Sequence, residues 1–212
     1  MSLAARAPSG VRLPATSAQD RFRVCVYCGS RAGHDRAHGD AAAALGQAIG
    51  DAGAELVYGG GRAGLMGLLA DAALRAGARV VGVIPEMLMV REVGHEGLSE
   101  LQVVPDMHER KRRMADGADA FVVLPGGIGT MEEFFEVWTW RQLGYHDQPI
   151  GLLNVAGYYA PLLGMIDRMV EQGFLGEAQR AMLRLHDDPA ALLALLRDDA
   201  RRATAPDDFS RI

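Results

Sequence analysis

In Phe121-Val122-Val123-Leu124-Pro125-Gly126-Gly127-Ile128-Gly129-Thr130-Met131-Glu132-Glu133, an apolar run meets a glycine turn, and the run Phe134 to Leu143 continues with helical character. Strand, tight turn and helix in that order make half of a βα unit. Glycines at the turn let backbone N–H groups close on an anion, and the unpaired donors and dipole of a helix start favour negative charge there. The first inference is a phosphate site. Glu132 and Glu133 stand about one turn into the helix, where they would repel a phosphate unless a cation or a separate chemical task accounts for them. Carboxylates beside a phosphate cradle point to chemistry on a sugar phosphate. A second reading competes: Thr130 and Glu133 have the S/T-x-x-E spacing of a capping box, which makes Thr130 the N-cap and explains Glu133 without catalysis. Both readings stand on this segment alone.

Outward from this segment, apolar β-like runs alternate with helical ones, as repeated βα units and a mostly parallel sheet require. Strands are expected at 22–27, 54–58, 79–84, 101–104, 119–124 and 149–153, with a weak seventh near 182–186. Helices are expected near 35–52, 63–76, 107–116, 130–143, 158–172 and 189–202, with Gly53 and Gly77 closing two of them. The fold class is a doubly wound, Rossmann-like α/β domain with about seven strands flanked by helices. In such sheets ligands sit beyond the carboxyl ends of the strands, so the loops after the second and fifth strands share one crevice.

The chain has 212 residues, 49% of them hydrophobic, which suits one domain with a sizeable core at residues 21–203. Residues 1–20, rich in Ala and Ser with no acid before Asp20, read as a disordered N-terminal tail, and 204–212 as a C-terminal tail. No run approaches the roughly 20 apolar residues of a membrane helix, so a cytoplasmic protein is expected. A net charge of −5 argues against a broad nucleic-acid surface, leaving a small molecule as the expected partner. Cys25 and Cys28 form a C-x-x-C, but Cys25 lies inside a strand rather than at a helix start, so buried packing explains the pair better than redox chemistry. His34 and His38 have helical ligand spacing without a third ligand, and no metal site is expected.

The loop Tyr58-Gly59-Gly60-Gly61-Arg62-Ala63-Gly64-Leu65-Met66-Gly67 contains G-x-G-x-x-G, with Glu86 at the distance of a ribose-binding acid. A nicotinamide-dependent oxidoreductase is therefore a rival. It ranks lower because that fingerprint belongs in the first βα turn, which here reads Cys28-Gly29-Ser30. Two glycine loops, with Gly60 and Gly61 in the first, suit one mononucleotide better; a nucleotide-binding protein without turnover is the third class. Met107-His108-Glu109-Arg110-Lys111-Arg112-Arg113 adds cations at the same crevice, and Lys111 is the one lysine in a chain with 21 arginines. Arg110 suits a carboxylate or phosphate fork and Lys111 a point charge. Met87, Leu88 and Met89 are candidate walls for a base, although core packing explains them equally.

Tyr-Gly-Gly-Gly-x-x-Gly-Leu-Met-Gly at 58–67, Met-His-x-Arg-Lys at 107–111, Pro-Gly-Gly-x-Gly-Thr-x-x-Glu at 125–133 and Trp138-Thr139-Trp140-x-Gln142-Leu143-Gly144 together resemble the Lonely Guy (LOG) family over about residues 22–197. Members are cytokinin riboside 5′-monophosphate phosphoribohydrolases, once mislabelled lysine decarboxylases. The resemblance implies a Rossmann-like homodimer that hydrolyses the N-glycosidic bond of a purine nucleoside 5′-monophosphate to free base and ribose 5-phosphate, with no nicotinamide and no pyridoxal phosphate. It places Arg110 and Glu133 as the catalytic pair, and Glu92, Lys111, Gly127, Ile128, Gly129, Thr130, Met131, Glu132 and Thr139 around the nucleotide.

Overall fold

The computed structural model describes residues 21–89 and 92–203; the two expected tails lie outside the described residues. Seven strands alternate with helices: β1 (Arg23–Tyr27), β2 (Glu55–Tyr58), β3 (Arg79–Pro85), β4 (Glu100–Val104), β5 (Ala120–Val123), β6 (Ile150–Leu153) and β7 (Leu183–His186). The helices are α1 (Arg36–Asp51), α2 (Gly64–Arg75), α3 (Met107–Ala115), α4 (Ile128–Gln142), α5 (Ala160–Glu171), α6 (Glu177–Arg180) and α7 (Pro189–Ala200). All seven strands pair parallel in the order β4-β3-β2-β1-β5-β6-β7. The chain builds outward from β1 to one edge and returns to lay β5 on its other side. This reversal between β1 and β5 creates a cleft at their carboxyl ends.

Central strands buried on both faces need unbroken apolar runs, and β2 and β5 are buried at every residue. On one face, Val24, Val26, Leu56 and Tyr58 pack with Leu45 of α1, Leu69 of α2 and Leu192 of α7. On the other, Cys25, Val57, Phe121 and Val123 pack with Met114 of α3, Phe134 and Trp138 of α4 and Ile166 of α5. Cys25 is wholly buried and burial pushes its thiol, like that of Cys28, well above the ordinary range, as packing rather than redox chemistry requires. At the opposite end of the sheet the buried Glu55 carboxylate is held between Arg23 at 3.0 Å and Arg79 at 3.1 Å, which offsets the desolvation of its charge.

The strands and long helices lie where the sequence places them, within two residues at each end, although α4 is capped differently from the capping-box reading. That helix begins at Ile128, with Gly127 as an extended N-cap lacking any side-chain cap bond. The short α6 and two single-turn 3₁₀ segments, Glu86–Leu88 and Val155–Gly157, are additions that periodicity did not reveal.

The α1–α2 contact is a close-packed seam. A Cβ on Gly46 would lie 2.3 Å from the Leu69 carbonyl oxygen and 2.9 Å from the Ala72 Cβ. Glycine to alanine in a helix ordinarily gains about 1 kcal/mol in propensity, but here backbone stands in the way. Gly46→Ala should destabilise the domain by roughly 1–3 kcal/mol despite the better helix former. Chemical denaturation checks this; equal or raised stability would mean that the two helices separate freely.

Candidate active site

Loops from five strands converge at the cleft. The Gly29 amide donates to the Pro125 carbonyl at 3.1 Å, and the Leu65 amide donates to the Gly29 carbonyl at 3.0 Å. The turns after β1, β2 and β5 are thereby locked together. From the loop after β3, Glu92 and Val93 carbonyls accept from the Arg62 amide, and the His95 amide donates to the Gly60 carbonyl at 2.9 Å. Arg110 enters from the first turns of α3, whose start is capped by the Asp106 carboxylate on the Glu109 amide at 2.8 Å.

Arg110 is buried. Its Nη2 donates to the Gly59 carbonyl at 2.9 Å and to Glu92 Oε2 at 3.3 Å, while its Nε is buried without a hydrogen-bond acceptor. A Cβ on Gly59 would stand 2.1 Å from Arg110 Nη2, so glycine at 59 makes room for the guanidinium. Likewise a Cβ on Gly61 would meet Glu92 Cβ and its carbonyl oxygen at 3.0 Å. The glycines of this loop admit a protein cation and a protein carboxylate, and the start of α2 lies under Ser30 and Arg31. That geometry leaves the formal G-x-G-x-x-G without an open pyrophosphate cradle. Arg62 and Glu86 are both exposed.

The loop after β5 is open. Nothing lies within 4 Å of a Cβ placed on Gly127 or Gly129, and Ile128 is 90% exposed. Among the described residues, the N–H groups of Gly127, Ile128, Gly129 and Thr130 have no hydrogen-bond acceptor, whereas the Gly127 carbonyl already accepts from Met131. Four free donors at the start of a 15-residue helix are an arrangement that suits an anion.

Glu133 sits in the second turn of α4, half-buried, with no hydrogen bond or ion pair among the described residues. Burial pushes its carboxyl from the ordinary 4.5 up to about 7; Arg110 and Lys111 oppose the rise, while Glu132 and Glu92 add to it. The capping-box reading fails here. Thr130 is the third residue of the helix and buried, so Glu133 lies three residues too far along to close a box with it. Its carboxylate is left for other work.

Lys111 is buried, and its Nζ donates to Glu132 Oε1 at 2.5 Å and to Glu136 Oε1 at 2.8 Å. Burial opposes its charge, but the two carboxylates outweigh that and hold the ammonium above its usual range. Lys111 clasps α3 to α4 and neutralises Glu132, which removes the repulsion that this acid would exert on a nearby phosphate.

Residues 66–196 match a family described as a possible lysine decarboxylase. A probable cytokinin riboside 5′-monophosphate phosphoribohydrolase of Oryza sativa subsp. japonica is 50% identical over 181 residues, covering 85% of this chain and 74% of the relative. A cytokinin riboside 5′-monophosphate phosphoribohydrolase of Arabidopsis thaliana is 52% identical over 161 residues, 76% of each chain. This chain belongs to the LOG family. The molybdenum cofactor carrier protein of Chlamydomonas reinhardtii shares the fold, with a TM-score of 0.64 and 18% identity over 84% of this chain and 97% of that one. The decarboxylase description fits the LOG site poorly, because a Schiff-base lysine needs a neutral amine and the one lysine is held charged between two acids.

Not every residue implied by the LOG motifs gathers at the cleft. Arg110 touches Gly59 and Glu92, Gly61 lies against Glu92, Gly60 packs instead on Val83, Ile84 and Leu101, and Glu133 is coupled to Arg110 and Glu92 through charge. Met131 packs into the core beneath α4. Thr139 is exposed nearly two turns beyond Glu132, with its hydroxyl donating to the Phe135 carbonyl at 2.6 Å. Met87 is 75% exposed, with Leu88 and Met89 half-buried. Two supports escaped the sequence reading. Buried His95 accepts from the Gly97 amide at Nδ1 (3.1 Å), so its Nε2 carries the proton shared with Asp71 Oδ1 at 3.0 Å and tethers the Glu92 loop to α2. Tyr158 and Tyr159 donate hydroxyls to the Gly126 and Leu124 carbonyls.

The displaced Glu133 ionisation has a stability consequence. With a folded value near 7 above the ordinary 4.5, the folded chain binds more protons than the unfolded chain between those values. Stability therefore falls as pH rises through that window. Glu133→Gln removes this titration, so its melting temperature should gain on wild type between about pH 5 and about pH 8. A pH-independent difference between the two proteins would show that Glu133 ionises normally.

Proposed function

We propose that this protein hydrolyses the N-glycosidic bond of purine nucleoside 5′-monophosphates, with prenylated adenine nucleotides of the cytokinin type as substrates. The observation that carries this reading is the unpaired, half-buried Glu133, raised to about 7, beside an open set of backbone donors. The names of relatives about 50% identical to this chain support the substrate class.

Cleaving C1′–N9 leaves the bonding pair on the base and develops an oxocarbenium-like cation on the ribose. Ionised Glu133 stabilises that cation and takes a proton from the attacking water, whose oxygen forms the new bond to C1′; the departing base takes up a proton from solvent, and Glu133 returns its own to solvent. Arg110, held by Gly59 and Glu92, contributes a fixed positive charge toward the departing base or the ribose phosphate. The first-turn amides of α4 hold the 5′-phosphate. Its binding energy positions a bond far from itself, so the free riboside should turn over far more slowly than the monophosphate.

A homodimer accompanies this reading. Phe135 and Thr139 of α4 and its C-cap residue Leu143 form an exposed stripe, with Phe135 at 36% and Leu143 at 63% exposure. A second copy covering that stripe would give exposed Thr139 a place at an interface. Among the described residues no helix is long and apolar enough to cross a membrane, which accords with a cytoplasmic enzyme.

Chromatographic assay of base released from isopentenyladenosine monophosphate, adenosine monophosphate and the matching ribosides tests the activity. Release is expected from monophosphates, with an acidic limb near pH 7 reflecting Glu133 ionisation. Glu133→Gln should lower kcat by a factor on the order of 10²–10⁴ while the protein stays folded. Near-wild-type turnover by that variant would remove Glu133 from the chemistry.

A further inference from the structure

Three consecutive carbonyls in the turn before α4 are held by two separate parts of the chain, the turn after β1 and the Tyr158–Tyr159 pair after β6. Leu124 accepts from the Tyr159 hydroxyl at 2.6 Å, Pro125 from the Gly29 amide at 3.1 Å, and Gly126 from the Tyr158 hydroxyl at 2.5 Å. Every described peptide bond is trans. In a planar trans peptide the carbonyl of one residue and the N–H of the next point in opposite directions, so anchoring the first aims the second. Tyr158 therefore aims the Gly127 N–H, the first free donor of the α4 anion site.

This peptide needs an external anchor. Gly126 and Gly127 carry no side chains, a Cβ on Gly127 would meet nothing within 4 Å, and among the described residues the Tyr158 hydroxyl is the sole donor to the Gly126 carbonyl. The tyrosine is itself aimed with care. After β6 the chain turns through Ala156 and Gly157, both at positive φ (49° and 73°), a conformation that is strained for alanine. Asn154 Oδ1 then accepts from the Tyr159 amide at 2.8 Å, and the His38 ring packs edge-on against Tyr158 at 5.6 Å. Tyr158 remains 42% exposed, so burial of its ring is not what holds it there.

We propose that Tyr158 is a positioning residue for the phosphate: its hydroxyl orients the Gly126–Gly127 peptide so that the Gly127 N–H meets the 5′-phosphate of the substrate. The proposal rests on the hydrolase reading for its substrate, but not for its phosphate chemistry. Tyr159 supplies the control. It holds the Leu124–Pro125 peptide, whose nitrogen belongs to proline and has no proton to aim.

Tyr158→Phe should raise KM for a nucleoside monophosphate roughly tenfold, the effect of one misdirected hydrogen bond to a charged group. Its kcat and its turnover of the free riboside should stay near wild type, so discrimination between the two falls by the same factor. Tyr159→Phe should lower the melting temperature yet keep that discrimination. Calorimetric titration of adenosine monophosphate into wild type and Tyr158→Phe separates the two proposals, because binding is read without turnover. Weaker binding by the variant upholds the positioning role even if no base is released, an outcome that would overturn only the hydrolase reading. Equal affinity, or an equal loss of discrimination in both tyrosine variants, would overturn the positioning role.

Discussion

The backbones of Gly29 and Gly126 touch where the sheet reverses between β1 and β5, and the geometry of the site follows from that contact. A Cβ on Gly126 would lie 2.9 Å from the Gly29 nitrogen and 2.1 Å from Thr130 Oγ1, so no larger residue allows the two turns to close. Because they close, α4 starts at Ile128, directly after the turn, and its free amides open onto the cleft. The same start places Glu133 in the second turn rather than the first. There it escapes the backbone donors that would have claimed it as a cap and comes under the influence of Arg110 and Glu92.

Charge in the cleft is arranged by who is paired with whom. Glu92 is answered by Arg110, and Glu132 and Glu136 by Lys111. Glu133 alone among these four acids lacks a direct partner among the described residues, and burial raises it to about 7. An ordinary carboxylate would be fully ionised in water and strongly solvated; one held near neutrality is a better base and more sensitive to a cation developing beside it.

Much of this was legible in the sequence. Strands buried on both faces announce themselves as apolar runs, and helices by their period, so the order and class of the elements follow directly. What the capping-box reading of Thr130 could not show is the cap itself: Thr130 is a good capping residue, whereas Gly127 caps through its extended backbone alone. Lys111 stood out as the one lysine, but its work was written in its partners: Glu132 and Glu136 are four residues apart on one helix face and converge on a single ammonium. The supports of the site were not legible. Tyr158 reaches Gly126 across 32 positions and His95 reaches Asp71 across 24, and neither pair leaves a local pattern.

The two glycine-rich loops show why a motif needs its surroundings. Both meet the same physical requirement, backbone that something must approach closely, and differ in what approaches. After β2 the space over Gly59 is filled by the Arg110 guanidinium and that beside Gly61 by Glu92, so the loop serves as a seat for two functional side chains. After β5 the space over Gly127 and Gly129 stays open and the neighbouring amides stay free, so that loop can serve a ligand. A glycine pattern states that side chains are excluded; only the fold states whether the room is kept for the protein or for its substrate. The loop with the more familiar fingerprint is here the occupied one, and the less familiar loop keeps its space open and its amides free.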